Sequence, residues 1–133
     1  MTAATRTLDW LAKAAQGSWL VSPSAGATFC GATTDSRQIT SKIAFVALKG
    51  ERVDGFDYCA AAALGGAAVL IVERARGIPK GVGTTPVLGV DDPLTALGYL
   101  AQTLRAEFTG RVVAVTGSNG KTTTKELIAA ALS

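Results

Sequence analysis

Short apolar runs alternate along this chain with segments in which apolar residues recur every three or four positions. The runs, which predict buried β-strands, lie at residues 27–33 (the weakest), 43–48, 68–72 and 87–90. Helices are predicted at residues 8–15 and 93–108, which follow helical spacing, and at residues 58–64, between Asp57 and a pair of glycines. Because apolar strands that alternate with helices favour a sheet covered on both faces, the pattern predicts an α/β fold with a mostly parallel or mixed sheet.

Polar residues and glycines mark where these helices begin and end. Thr7 and Asp57 are the predicted N-caps of the first two helices, and Gly17 is predicted to close the first. Asp92 is predicted to cap the third helix, with Pro93 at the first helical position, where its missing N–H costs nothing. Polar or glycine-rich segments at residues 34–37, 51–55 and 77–85 are predicted loops.

A different arrangement follows the third helix. Residues 112–115 predict a β-branched strand, residues 117–120 a glycine-flanked turn, and Lys121 with three threonines opens an alanine- and leucine-rich helix. This is the order of parts in a phosphate-binding loop, in which N–H groups at the helix start face the anion. Lys121, the predicted catalytic residue, would reach the β- and γ-phosphates, and the Thr122 hydroxyl would bind Mg²⁺.

The glycine spacing of this loop departs from the general G-x-x-x-x-G-K-[ST] pattern, because two residues separate Gly117 from Gly120. The alternative is an ordinary strand-to-helix turn with a chance lysine. Strand, glycines, Lys-Thr and helix agree, however, so the sequence predicts nucleoside triphosphate binding. The predicted ATP-binding residues are Gly117, Ser118, Asn119, Gly120, Lys121, Thr122 and Thr123.

Composition narrows the function classes. The 133 residues are 48% apolar and 17% charged, which suits a packed domain, and the net charge of +3 is scattered. Without a basic patch and aromatic platforms, nucleic acid binding is not expected. There is no histidine, and Cys30 and Cys59 lack metal-ligand spacing, so zinc is not expected. The two cysteines are interpreted as small buried hydrophobes, although a disulfide remains possible.

The sequence predicts neither secretion nor membrane insertion. The N-terminus lacks a long apolar segment of the kind that signal peptides carry. The longest apolar run, residues 59–72, is too short to span a bilayer. The expected location is the cytoplasm.

The loop at residues 116–126 resembles the ATP loop of the Mur ligases of peptidoglycan synthesis, whose form has this short glycine spacing. Folylpolyglutamate synthetases share a similar loop. Residues 34–37, 45–50 and 54–55 resemble the uridine-binding domain of the Mur ligases and favour that family. The resemblance implies that residues 1–108 form an N-terminal substrate domain, and that residues 109–133 begin a central ATP-binding domain with its first β-loop-α unit.

Within the family, the loop is most similar to the branch that adds D-alanyl-D-alanine to UDP-N-acetylmuramoyl-tripeptide. The resemblance implies a monomeric amide ligase that uses ATP and Mg²⁺ to convert a substrate carboxylate to an acyl phosphate, which the amine attacks. Alternatives are the sister ligase that adds the diamino acid, and a non-catalytic uridine-nucleotide-binding module. Because the family's other catalytic parts would follow Ser133, the chain is interpreted as an N-terminal part and expected to be inactive alone.

The resemblance also implies a site for the uridine diphosphate part of the substrate. For Ser36 and Arg37, the alternative is a solvated turn that only joins two strands. The predicted uridine-site residues are Ser36, Arg37, Lys49, Gly50, Arg52, Val53 and Asp54.

Overall fold

The computed structural model describes residues 5–107, and the predicted phosphate-binding loop lies outside them. The strands are β1 (Arg6–Thr7), β2 (Ser18–Val21), β3 (Thr28–Phe29), β4 (Gly31–Thr33), β5 (Ile43–Val46), β6 (Val69–Glu73) and β7 (Val87–Val90). The α-helices are α1 (Leu8–Ala15), α2 (Cys59–Leu64) and α3 (Pro93–Glu107). Short 3₁₀ turns occupy Ser36–Gln38, Gly55–Tyr58 and Arg74–Arg76.

The central sheet has five strands in the order β2-β7-β6-β5-β4. The strands β4 to β7 are mutually parallel, and β2 joins the β7 edge in the antiparallel direction. The separate pair β1-β3 is antiparallel. The predicted α/β fold with a mostly parallel or mixed sheet is therefore confirmed. None of the helices among residues 5–107 is long and apolar enough to cross a membrane.

Both faces of the sheet are covered by helices. Because successive strand residues point to opposite sides, neighbouring residues of one strand belong to different hydrophobic clusters. On β5, Ala44 and Val46 join the core cluster that contains residues of α1 and α3. Phe45, between them, joins the cluster that contains Cys59 and Ala62 of α2. Two helices on one face and one on the other account for the wholly apolar strands in the sequence.

Two of the predicted N-caps are confirmed. The Thr7 hydroxyl accepts a hydrogen bond from the Trp10 N–H at 3.1 Å. The Asp92 carboxylate accepts from the Thr95 N–H at 3.2 Å and from the Thr95 hydroxyl at 2.7 Å. Each cap satisfies an amide that the first helical turn leaves unpaired.

The other end assignments were wrong. Asp57 lies inside a 3₁₀ turn that Asp54 caps, and α2 starts after Tyr58 without a side-chain cap. Gln16, not Gly17, takes the left-handed conformation that ends α1, with φ of 56°. A Cβ at Gly17 would lie 2.7 Å from the Leu88 side chain, so this glycine is needed for close packing instead.

The strand predicted at residues 27–33 divides at Cys30. Thr28–Phe29 pairs with β1, whereas Gly31–Thr33 pairs with β5. The Cys30 N–H donates to the Lys42 carbonyl at 2.7 Å, which marks the crossing from one sheet to the other. The edge strand β2 was not predicted, since its residues show no clear apolar alternation.

Candidate functional site

The carboxyl ends of the four parallel strands lie along one edge of the sheet, and each continues into a polar segment. Ligands of open α/β sheets bind in crevices outside this edge. Two clefts occur there in the described part of the chain. We call them the β4–β5 cleft and the β6–β7 cleft after the strands that they follow.

The β4–β5 cleft has a volume of about 490 Å³. Phe45, Leu48 and Val53 supply its apolar lining. Tyr58, which is 44% exposed, adds an aromatic side chain, and the remaining lining residues are polar or glycine. Of the predicted uridine-site residues, this cleft brings together Ser36, Arg37, Gly50 and Val53. Their role in binding remains a prediction, but their proximity follows from the fold.

One wall of the β4–β5 cleft is a turn that local hydrogen bonds hold after β4. The buried Thr33 hydroxyl accepts from the Asp35 N–H at 3.1 Å. Asp35 caps the turn by accepting from the Arg37 N–H, and also binds the Arg37 guanidinium through Nε at 3.0 Å and Nη2 at 2.9 Å. The hydrogen bond and charge of Asp35 raise the pKa of Arg37 above its ordinary value. The wall therefore presents an arginine that is paired with a carboxylate and whose side chain is 85% exposed.

The facing wall is formed by residues 48–55, which we call the cleft-wall loop. It is a small hairpin in which the Gly50 N–H donates to the Val53 carbonyl at 2.8 Å and the Gly55 N–H to the Leu48 carbonyl at 2.7 Å. Gly55 is buried, and a Cβ there would lie 2.8 Å from Leu48 backbone atoms. The backbone of Gly55 can therefore approach the Leu48 backbone this closely only because glycine has no side chain.

The hairpin separates the predicted site residues between the two clefts. Lys49 and Asp54 form an antiparallel bridge, so their side chains share one face of the hairpin. Gly50 and Val53, the next pair, belong to the opposite face because side chains alternate. Accordingly, Gly50 and Val53 line the β4–β5 cleft, whereas Lys49 lines the β6–β7 cleft.

Asp54 is engaged within the protein. It accepts from the Phe56 N–H at 3.1 Å and from Arg76 Nη1 at 2.6 Å. The hydrogen bond from Arg76 is the main reason that the pKa of Asp54 lies below its ordinary value, with the Phe56 N–H and the nearby Lys49 charge adding to it. Asp54 lines neither cleft, and the same holds for the exposed Arg52.

The β6–β7 cleft is smaller, about 250 Å³, and of mixed charge. Arg76 and Lys49 lie there with the carboxylates of Glu73, Asp91 and Asp92. Arg76 was not among the predicted site residues, although it lies in the short turn that follows a buried strand, and this position was a usable signal. Tyr58 was not predicted as a site residue because the sequence pattern placed it in the second helix.

The predicted ATP and Mg²⁺ residues, 117–123, lie outside the described residues and remain predictions. Within residues 5–107, no group of three or more Cys, Asp and Glu side chains is arranged to hold a metal ion. A family model described as "Mur ligase family, catalytic domain" matches residues 28–105. The chain belongs to the Mur ligase family. This confirms the family that the loop and the 34–55 motifs suggested.

Curated relatives of this Mur ligase chain include two that carry the name UDP-N-acetylmuramoyl-tripeptide–D-alanyl-D-alanine ligase. The Escherichia coli protein is 46% identical over 106 residues, which cover 80% of this chain and 22% of the relative. The Bacillus subtilis protein is 43% identical over 102 residues, with 77% and 22% covered. A UDP-N-acetylmuramoyl-L-alanyl-D-glutamate–2,6-diaminopimelate ligase from Gloeobacter violaceus is 42% identical over 102 residues, with 74% and 20% covered. The chain thus spans about a fifth of these relatives.

Solved structures of Mur ligases are also similar to this chain. MurF from Acinetobacter baumannii superposes with a TM-score of 0.71 at 33% identity, covering 82% of this chain and 23% of that one. MurF ligase from Thermotoga maritima in complex with ADP gives a TM-score of 0.54 at 36% identity, covering 68% and 20%. The fold described above is therefore shared with these Mur ligases.

Proposed function

We propose that this chain is the N-terminal part of a cytoplasmic, monomeric ligase that joins D-alanyl-D-alanine to UDP-N-acetylmuramoyl-tripeptide at the expense of ATP. The observation that carries the proposal is the similarity to ligases of this name over about four-fifths of the chain. It is supported by a cleft at the carboxyl edge of the sheet that contains several of the residues expected at the uridine site.

The β4–β5 cleft is proposed to hold the uridine diphosphate part of the substrate. The apolar Phe45 and Leu48 and the aromatic Tyr58 suit a pyrimidine ring, while loop backbone groups suit its polar edge. Asp35 occupies Nε and Nη2 of Arg37, and a guanidinium carries further donors on Nη1 for a phosphate oxygen. Ser36 would add a hydroxyl beside it.

Lys49 and Arg52 are proposed to act by charge near the diphosphate. Both are exposed on the cleft-wall loop, outside the β4–β5 cleft. Asp54, already bound to Arg76 and to the Phe56 N–H, fits a role in holding this loop better than direct contact with an anionic substrate.

The loop at residues 117–123 is proposed to bind ATP, with Lys121 neutralising phosphate charge and Thr122 binding Mg²⁺. The solved relative in complex with ADP supports a nucleotide as ligand of this family. ATP with Mg²⁺ would supply the phosphoryl group, and the chain's part would be to orient it and to stabilise its developing charge.

Calorimetric titration of the 133-residue chain with UDP-N-acetylmuramoyl-tripeptide, and then with Mg-ATP, tests the proposal. We expect the UDP-peptide to bind equally well to the wild type and to Lys121→Ala, because Lys121 is proposed to contact ATP and not the uridine part of the substrate. Mg-ATP binding should be lost in Lys121→Ala. The chain alone should release no ADP or phosphate above background. Failure of the UDP-peptide to bind would refute the assignment of the β4–β5 cleft.

A second candidate is the sister ligase that adds the diamino acid, because a relative of that name matches at 42% identity. The D-alanyl-D-alanine branch is preferred, since the relatives at 43% and 46% and the solved structures carry its name. Ligation assays on the complete protein that carries this chain, with the two amines in parallel, distinguish the candidates. Uridine nucleotide binding without ligation of either amine would favour the non-catalytic module.

A further inference from the structure

Arg76 lies outside the β4–β5 cleft, yet it contacts the residues that hold one of its walls. We propose that Arg76 is a positioning residue that fixes the cleft-wall loop for uridine nucleotide binding. The inference rests on the proposed function of this cleft. Arg76 follows β6, whereas the loop follows β5, so the contact joins segments that are distant in sequence.

Two contacts connect Arg76 to the loop region. Its Nη1 donates to Asp54 Oδ2 at 2.6 Å, and its guanidinium carbon lies 4.0 Å from the centroid of the Phe56 ring. Both side chains of the ion pair are largely shielded, with 33% of Arg76 and 24% of Asp54 exposed. A planar guanidinium can stack and pair at once, which a lysine ammonium does not reproduce.

These contacts secure the end of the loop at which the hairpin closes. Asp54 is the bridge partner of Lys49 and also caps the turn that starts at Gly55. The next residue pair, Gly50 and Val53, lines the cleft on the other face of the hairpin. Movement at Asp54 therefore displaces the cleft wall, although Arg76 itself lines only the β6–β7 cleft.

A loop that is held in its binding conformation binds more tightly, since apparent affinity falls with the fraction of molecules in the competent state. Without the Arg76 contacts, we expect that fraction to drop to about one tenth, which would raise the Kd about tenfold. The effect is expected on affinity rather than on the cleft's chemistry, because no atom of Arg76 is proposed to touch the ligand.

Arg74 provides a matched control in the same 3₁₀ turn. It also pairs with an aspartate, Asp91, and it donates to the Ser18 hydroxyl and the Gly89 carbonyl, both at 3.1 Å. These partners lie on the β2–β7 side of the sheet. Loss of Arg74 should therefore cost comparable stability without loosening the cleft-wall loop.

The experiment is titration of the 133-residue chain with uridine diphosphate, for the wild type, Arg76→Gln, Asp54→Asn, their double variant and Arg74→Gln. We expect Arg76→Gln to raise the Kd about tenfold and Arg74→Gln to change it less than about twofold. Asparagine can still accept from the Phe56 N–H, so Asp54→Asn removes the ion pair and retains the cap. Since Arg76 and Asp54 act as one unit, the Kd of the double variant should equal that of the single variant that binds uridine diphosphate less tightly.

Amide hydrogen exchange at Gly50 and Gly55 gives a second readout that needs no ligand. Both amides donate within the loop, so they should exchange faster in Arg76→Gln and stay protected in Arg74→Gln. Unchanged exchange in Arg76→Gln, or equal effects of the two arginine variants on Kd, would overturn the inference. If the wild type fails to bind uridine diphosphate, the proposed role of the β4–β5 cleft fails, and the exchange rates still test whether Arg76 holds the cleft-wall loop. If Arg76→Gln does not fold, Asp54→Asn carries the same comparison.

Discussion

Gly55 illustrates how much a single residue contributes to the cleft. A Cβ there would lie 2.8 Å from the Leu48 N and O atoms and 3.0 Å from the Ala47 carbonyl carbon, all of which are backbone. Gly55→Ala must therefore shift the cleft-wall loop, and we expect it to lower the free energy of unfolding by about 1–3 kcal/mol. Urea denaturation followed by circular dichroism measures this loss.

Gly98→Ala is the matched control with the opposite expected sign. Gly98 lies inside α3, and a Cβ there would meet nothing within 4 Å. Alanine should therefore raise the free energy of unfolding by about 0.5–1 kcal/mol through helix propensity. Equal stability of Gly55→Ala and the wild type would contradict the close approach at Gly55.

At the scale of elements, an aromatic and ionic cluster joins the start of α1 to the end of α3. Glu107 accepts from the Trp10 indole N–H at 3.1 Å and from Arg6 Nη1 at 2.6 Å, and the Arg6 guanidinium lies 4.4 Å from the Trp10 ring centroid. The Trp10 hydrogen bond is the main reason that the pKa of Glu107 lies below its ordinary value; burial opposes this shift, and the hydrogen bond and charge of Arg6 add to it.

The lowered pKa of Glu107 predicts a pH-dependent contribution to stability. A carboxylate with a depressed folded pKa stabilises above its unfolded pKa, about 4.3, and this contribution is lost as pH falls through the folded value. Because Glu107 is 42% exposed, we expect only about 0.2–1 kcal/mol. The melting temperatures of the wild type and Glu107→Gln should thus differ at pH 7 and converge near pH 3. A constant difference across that range would argue against the charged pair.

Some of the strands and helix ends could be predicted from the sequence, and others could not. Apolar runs predicted β5, β6 and β7 because those strands are buried on both faces, which composition alone reveals. The edge strand β2 and the break at Cys30 depend on pairing partners elsewhere in the chain. Asp54 and Asp57 are equally good N-caps by residue type, and their real difference, the contact of Asp54 with Arg76, spans 22 positions.

The candidate site was predictable to a similar degree. The motifs supplied Ser36, Arg37, Gly50 and Val53, which the fold brings into one cleft. They could not assign Lys49 to the other cleft, because that follows from its pairing with Asp54 in the hairpin. Sequence spacing gives the residues of a site, whereas strand pairing determines the face on which each one lies.

At the scale of the whole molecule, the described residues 5–107 contain two hydrophobic clusters that bury both faces of one sheet. The clusters run from Leu8 to Leu104, with α1 and α3 on one face of the sheet and α2 on the other. A single β-loop-α unit, as predicted after residue 108, cannot bury its own faces. We therefore propose that residues 1–108 fold alone and that the remainder adds little to their stability.

Removal of residues 109–133 tests this division. We expect the shortened chain to unfold in one cooperative transition, with a melting temperature within a few degrees of the complete 133-residue chain. Calorimetric scans of both chains measure this, and titration with uridine diphosphate should give the same Kd for each. A large drop in melting temperature would mean that the phosphate-loop segment packs against the first sheet. In that case the proposed boundary between the substrate domain and the ATP-binding domain would be wrong. The assignment of the uridine cleft would be tested by the titration alone.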